Sequence, residues 1–327
     1  MTYSVGGLIQ ATDYNGFAST TAGANANSIW GTGATDIGYG QSTILDTVAA
    51  GAIVSATQWA SLNSRISTIA SHQGTAITSR TNPVAGGTIA ILAALNTDLT
   101  NLTTNRGSAA ASGTQYTAWT GTSSKDSATG SGGDPWTITF THTITFANAA
   151  SARYFFNAGG RIKWETSKTS TGTTADDEWN DLANTLVGDI YITGGTATQT
   201  IAGTAYTGTT SIGGTGTPTT LATTTGFYDL TTTPTTIYKQ FADTYLYTDQ
   251  FIQINASVNA GGTAITLTTL WTDPGGGFFP NDNISGGTTT TGISFGTAPA
   301  TVVTYFPPST NNLTNTWGTP TVAATVA

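Results

Sequence analysis

Four carboxylates crowd one short stretch of this chain: Asp176, Asp177, Glu178 and Asp181. Carboxylates gathered this closely could hold calcium, which takes oxygen ligands. Paired across a sugar they could act as acid and base on a glycosidic bond, with Glu165 as partner to Asp177 or Glu178. The same residues also suit a helix N-terminus, where negative charge meets the positive end of the macrodipole. A helix opening at Asp176-Asp177-Glu178-Trp179 and closing near Val187-Gly188 is the expectation. The chain has two histidines, His142 and His72. His142 falls on the apolar side of an alternating run and reads as a hydrogen-bonded core residue. His72 falls at the end of a helical stripe and reads as a C-cap. With no cysteine in the chain, a cysteine zinc site and a thiol nucleophile are excluded. Gly31-Thr32-Gly33 and Gly38-Tyr39-Gly40 lack the strand–helix context and the lysine of a phosphate loop. Aromatic side chains could stack on glycan, but packing is their default use. No catalytic, cofactor-binding or metal-binding constellation is expected.

The elements that would position these groups follow from composition and pattern. Among 327 residues, 17 acidic against 9 basic side chains give a net charge of −8. That balance disfavours a phosphate-backbone partner, so no nucleic acid is expected. Charged residues make up only 8 %, against about 25 % in ordinary domains. Hydroxyl and amide groups must therefore supply solubility. The 40 glycines and abundant threonine point to Thr-covered strands joined by Gly turns. Eight Trp, 12 Tyr and 12 Phe argue against disorder. Met1 to Ala11 shows no basic-then-apolar signal peptide, and no apolar run is long enough for a membrane span.

The strongest pattern is Thr137 to Phe146, where threonine alternates with Ile138, Phe140, His142, Ile144 and Phe146. Alternate side chains of a strand face opposite ways, so one face is apolar and the other hydroxyl. A turn at Ala147 to Ser151, a strand at Arg153 to Phe156, a turn at Asn157 to Gly160 and a strand at Arg161 to Glu165 would complete a meander.

Upstream, Thr12 or Asp13 could cap a helical segment reaching Trp30, and Thr43 to Val48 reads as a short strand. Ser55 caps a helix from Ala56 to about Ser71, with Trp59, Leu62, Ile66 and Ile69 on one face. A connector covers Thr75 to Ala85. A third helix covers Gly87 to Asn105, striped by Ile91, Leu92, Leu95, Leu99 and Leu102. Downstream, Asp189 to Thr193, Gly226 to Leu230, Thr236 to Phe241, Tyr247 to Val258 and Thr263 to Thr272 read as strands. Gly194 to Thr220 reads as an exposed loop or hairpin. The expected fold is α+β, mainly β, in four parts. Residues 1–108 form a helical module for attachment or oligomerisation. Residues 109–134 form a Gly/Ser/Thr linker with one short strand, and 135–274 an antiparallel, jelly-roll-like β-sandwich. Residues 275–327 form an extended tail packing on a neighbour.

Two sets of motifs carry a resemblance. One is Gly7-Leu8-Ile9-Gln10-Ala11-Thr12-Asp13-Tyr14-Asn15 with Trp30-Gly31-Thr32-Gly33, Gly38-Tyr39-Gly40-Gln41 and Ser55-Ala56-Thr57-Gln58-Trp59. The other is Ala152-Arg153-Tyr154-Phe155-Phe156-Asn157-Ala158-Gly159-Gly160-Arg161-Ile162 with Trp179-Asn180-Asp181-Leu182 and Gly226-Phe227-Tyr228-Asp229-Leu230. In this order they resemble modules of virion structural proteins of tailed phages, above all cyanophages, often tail-fibre or appendage components. The resemblance covers about residues 1–75 and 135–270. It implies a non-enzymatic protein made in the host cytoplasm and carried in the virion, where its partners are other virion proteins and itself, as a homotrimer. A host surface glycan is a further ligand to expect. The rival expectations are a capsid decoration protein and a glycan-binding or depolymerising tail protein.

Overall fold

The computed structural model describes residues 10–19, 24–32, 37–84, 92–110, 119–124, 127–128, 135–170, 172, 174–244, 247–274, 293–294 and 298–327. Expectations on Ile91, Gly87, Gly33, Tyr116 and most of 275–297 lie outside these residues. Six α-helices are described: α1 (Ala11–Ala18), α2 (Ala26–Trp30), α3 (Ala56–Gln73), α4 (Leu92–Thr104), α5 (Ala149–Asn157) and α6 (Thr174–Asp181). The strands are β1 (Trp119–Ser124), β2 (Ser127–Ala128), β3 (Trp136–Thr145), β4 (Arg161–Ser167), β5 (Asp189–Ile192), β6 (Gln199–Ile201), β7 (Thr204–Tyr206) and β8 (Thr209–Ile212). They continue with β9 (Thr220–Leu221), β10 (Thr235–Phe241), β11 (Phe251–Val258), β12 (Ala264–Asp273), β13 (Ile293–Ser294), β14 (Ala300–Phe306) and β15 (Thr321–Val326). The protein is α+β and mainly β.

Two antiparallel sheets share one buried core. The first runs β1-β14-β4-β5-β8 and the second β15-β3-β12-β11-β10-β9. The chain passes between them from β1 to β3, β3 to β4, β8 to β9, β12 to β14 and β14 to β15. Strand β3 forms because its alternation matches the pleat. Ile138, Phe140, His142 and Ile144 are buried and lie opposite Trp271, Thr269, Leu267 and Ile265 of β12. The outer face is a threonine ladder, with Thr137 and Thr272 hydroxyls 3.2 Å apart and Thr143 and Thr266 hydroxyls 3.4 Å apart.

The meander does not form. Arg153 to Phe156 belongs to helix α5, and β3 pairs with β12 and β15, leaving β4 to the other sheet. The reason is local. The Ser151 N–H donates to Asn148 Oδ1 at 2.8 Å, an N-cap, and Ala152, Phe155 and Phe156 repeat at helical spacing onto the core. Thr43 to Val48 is not a strand either. Side-chain amides replace its ladder partner. Asn27 exchanges two 2.8 Å bonds with the Leu45 backbone, and Asn15 does the same with Val48. The first helical segment divides into α1, opened by Gln10 with its N–H on Asp13 Oδ2 at 2.9 Å, and α2, capped by Asn25. Gly226 to Leu230 is a 3₁₀ turn, not a strand. Gly194 to Thr220 does contain a hairpin, β6–β7, yet Ile201 and Tyr206 on it are buried.

Helix α3 matches its expectation. Ser55 and Gln58 form a reciprocal capping box at 2.8 and 3.2 Å, and Gly74 closes it at φ 68°. Trp59, Leu62, Ile66 and Ile69 bury one face, as do Leu95, Leu99 and Leu102 of α4.

The extended-tail expectation is corrected for residues 298–327. Strand β14 lies inside the first sheet between β1 and β4, and β15 borders the second beside β3. Val303 and Tyr305 enter the core. Non-local pairing holds residues 300–306 and 321–326 on strands of their own chain. The helical module is equally bound in, its buried side chains continuous with those of the sandwich.

Candidate functional site

The acidic stretch is a helix N-terminus, as its sequence suggests, and its carboxylates part company there. Asp176 and Lys168, both fully buried, form an ion pair. The Lys168 backbone is clamped in turn, its carbonyl accepting from Asn180 Nδ2 at 2.5 Å and Asn184 Nδ2 at 2.6 Å. Asp177 is exposed and accepts from the Ser170 hydroxyl. Glu178 turns inward, where it accepts from the Thr244 N–H at 3.4 Å. Oxygens of Glu178, Asp181 and Asp243 come within 4.8 Å of one another. Asp243 carries no local sequence signal. It follows β10, and only folding brings it to α6. Three carboxylates offer part of the roughly six to eight oxygens that calcium takes. Glu165 stays on β4, bonded to Lys163 Nζ at 2.6 Å, with Asp189 3.6 Å from the same ammonium. A cation already neutralises it, which is unlike a free acid–base pair.

Both histidines are buried and neutral. His72 Nε2 donates to the Ala158 carbonyl at 2.9 Å, so it bridges the helical module to α5 and does not cap its own helix. Burial lowers its pKa from 6.5 to about 4, against the opposing effect of that bond. His142 is fully buried on β3, and burial likewise lowers it to about 4. Neither of its ring nitrogens has a hydrogen-bond partner among the described residues. The expected hydrogen bonding is therefore absent, and the ring sits as an unsatisfied core group.

The motifs quoted above converge in space. Phe156 stacks on Phe227, centroids 4.6 Å apart and planes 15° apart. The Tyr228 hydroxyl donates to Asn157 Oδ1 at 2.9 Å, and Asn157 Nδ2 donates to the Gly38 carbonyl at 3.0 Å. Gly40 adopts φ +73° against the Tyr154 ring, which a Cβ would strike at 2.4 Å. Tyr39 meets His72 edge-on at 5.3 Å and donates to the Arg106 carbonyl at 2.7 Å. Gln41 accepts from the Thr314 N–H at 2.9 Å and hydroxyl at 2.6 Å. Thr316 donates to the Tyr39 carbonyl at 2.6 Å. Gly40 thus serves close approach to Tyr154 of α5, while Tyr39 and Gln41 beside it hold the C-terminal segment. Trp179 stacks on Trp271 at 5.3 Å in the adjoining core.

An open groove of about 1010 Å³ lies on the helical module, lined by Trp30, Ile44, Asp46, Gln58, Ser61 and Arg65 among others. Arg65 sits over the Trp30 ring at 4.0 Å. Sequence reasoning passed over this pair, because the two are 35 positions apart and meet only when α2 packs on α3. No helix among the described residues is long and apolar enough to cross a membrane. No family model, curated protein or solved structure matches this chain.

Proposed function

We propose that this chain is a non-enzymatic structural protein of a tailed-phage virion, a tail-fibre, neck or baseplate appendage subunit that assembles with itself and with other virion proteins. One observation carries the reading. The motifs behind the resemblance meet as packing at a junction that fastens the helical module to the sandwich, while large exposed aliphatics gather on that module. Ile44 is 61 %, Ile53 89 % and Val84 73 % exposed. Large exposed aliphatic side chains are the kind of surface that another protein covers. In this reading residues 1–108 attach and the sheets project or pack between subunits. A threonine-rich, weakly charged, fully folded β core suits a particle that must persist outside a cell.

Host-glycan binding is a second reading. It draws on Tyr228, 41 % exposed beside a cleft of about 210 Å³.

Light scattering on the purified chain tests the first reading. A mass that is a multiple of 33.3 kDa is the expected result. A monomer would remove the self-assembly on which the appendage reading depends.

A further inference from the structure

The groove on the helical module holds two charges that the fold leaves unused. Arg65 makes no hydrogen bond to the described residues, and its Nη1 is buried without a partner. Its position over Trp30, 4.0 Å from the ring centroid, fixes the guanidinium with Nη1 turned inward, so Nε and Nη2 are the donors left for a partner. That is the arrangement in which arginine takes a carboxylate through two parallel bonds. Asp46 lines the same groove and is exposed. No ion pair within 4.0 Å joins the two. Ile44 lines the groove beside Asp46. Ile53 lies two residues before the groove residue Ser55, and Val84 two residues after Asn82, which also lines it.

This combination selects its occupant. An apolar partner would leave Arg65 stranded, since a desolvated cation without an acceptor is costly. A polyanion would meet Asp46. A sugar would find Trp30 covered, its residue only 8 % exposed beneath Arg65. A second copy of the same face satisfies every group. Turned about a twofold axis, it brings Asp46 to Arg65 and Arg65 to Asp46. A patch that carries both halves of its own contact is what an isologous interface requires.

We infer that this groove is an interface between two copies of the chain, in which Arg65 of each copy pairs with Asp46 of the other. The inference rests on the self-assembly reading above and gives it a surface. It also favours a twofold pair as the basic contact over the trimer that the resemblance implies. Arginine stacked on tryptophan is a common composition for an energetic hot spot.

Sedimentation velocity on the full chain provides the test. Arg65→Asp and Asp46→Arg each place like charges opposite one another, and each should weaken the pair on the order of a hundredfold. The double variant R65D/D46R restores opposite charges and should restore the pair. Ile53→Lys is the control for folding. Its side chain is almost fully exposed, so it should dissociate the pair while leaving the melting temperature unchanged. If the wild-type chain self-associates but the single variants and I53K keep its mass, this interface is wrong and self-assembly stands. A monomeric wild-type chain overturns both. Single variants that dissociate, with a double variant that stays apart, overturn the pairing of these two charges.

Discussion

Replacing His142 with leucine should stabilise the protein at neutral pH and remove part of its acid sensitivity. The ring is fully buried between two sheets with both nitrogens unbonded. A buried polar group without a partner costs about 1–3 kcal/mol. Leucine has a similar volume and no polar atom, so His142→Leu should recover on the order of 1 kcal/mol at pH 7.5. The pH dependence follows from the depressed pKa. In the folded chain His142 titrates at about 4, against the ordinary 6.5 once unfolded. Between those values the unfolded state holds one proton more, so stability falls as pH falls. The stabilisation is complete above pH 6.5, declines by about 1.4 kcal/mol per pH unit, and is about 3 kcal/mol lower by pH 4. His72 adds a second proton over the same window. Wild type should therefore lose stability with a slope that H142L shows reduced by one proton. Urea unfolding followed by tryptophan fluorescence at pH 7.5, 6 and 5 measures both quantities, and the difference between the two chains isolates His142 from the carboxylates. A destabilised H142L with the wild-type acid slope would mean that the ring has a partner or sees water, and would refute the reasoning.

Three other substitutions or deletions test the construction of the fold. Lys168→Met leaves Asp176 buried without its cation and should cost about 3–5 kcal/mol, most of it returned by adding Asp176→Leu; denaturant melts of the single and double variants measure this. Gly40→Ala forces a left-handed backbone on alanine and drives its Cβ into the Tyr154 ring; a loss of about 2–4 kcal/mol is expected by thermal melting. Deleting residues 321–327 turns β3 into an edge strand. Since Thr139 and Ala327 exchange backbone bonds at 3.0 and 2.9 Å, the amides of Thr141, Thr143 and Thr145 face β15 and should lose hydrogen-exchange protection. The amides of Phe140 and His142 face β12 and should keep theirs.

What the sequence made legible was local. Strand β3 shows itself because threonine alternates with Ile138, Phe140, His142, Ile144 and Phe146 over ten positions, and α3 because Ser55 caps a clean stripe. The carboxylates at Asp176 to Glu178 announce a helix start for the same reason. Helix α5 hides in the sequence because Arg153-Tyr154-Phe155-Phe156 reads as a short apolar run. The deciding signals, Asn148 as cap and Ala152 at helical distance from Phe155 and Phe156, sit at its margins. Strand β14, from Ala300 to Phe306, carries no clean alternation, since Val302 and Phe306 lie on the face opposite Thr301, Val303 and Tyr305, and Pro307-Pro308 follows directly. Nothing local says that it inserts between β1 and β4. The candidate sites failed for a related reason. Asp243 beside Glu178, and Arg65 over Trp30, are meetings made by tertiary packing. Thr43 to Val48 has strand composition, yet the side chains of Asn15 and Asn27 claim its backbone first.

Quantitative mass spectrometry of density-purified particles, from any phage found to carry this sequence, tests the proposed virion assignment most directly. The expected result is the chain in the particle fraction at a few dozen copies or fewer per virion, sedimenting with the tail. Several hundred copies would move it to the capsid surface. Recovery only in the soluble lysate, with none on the particle, would contradict a virion role altogether.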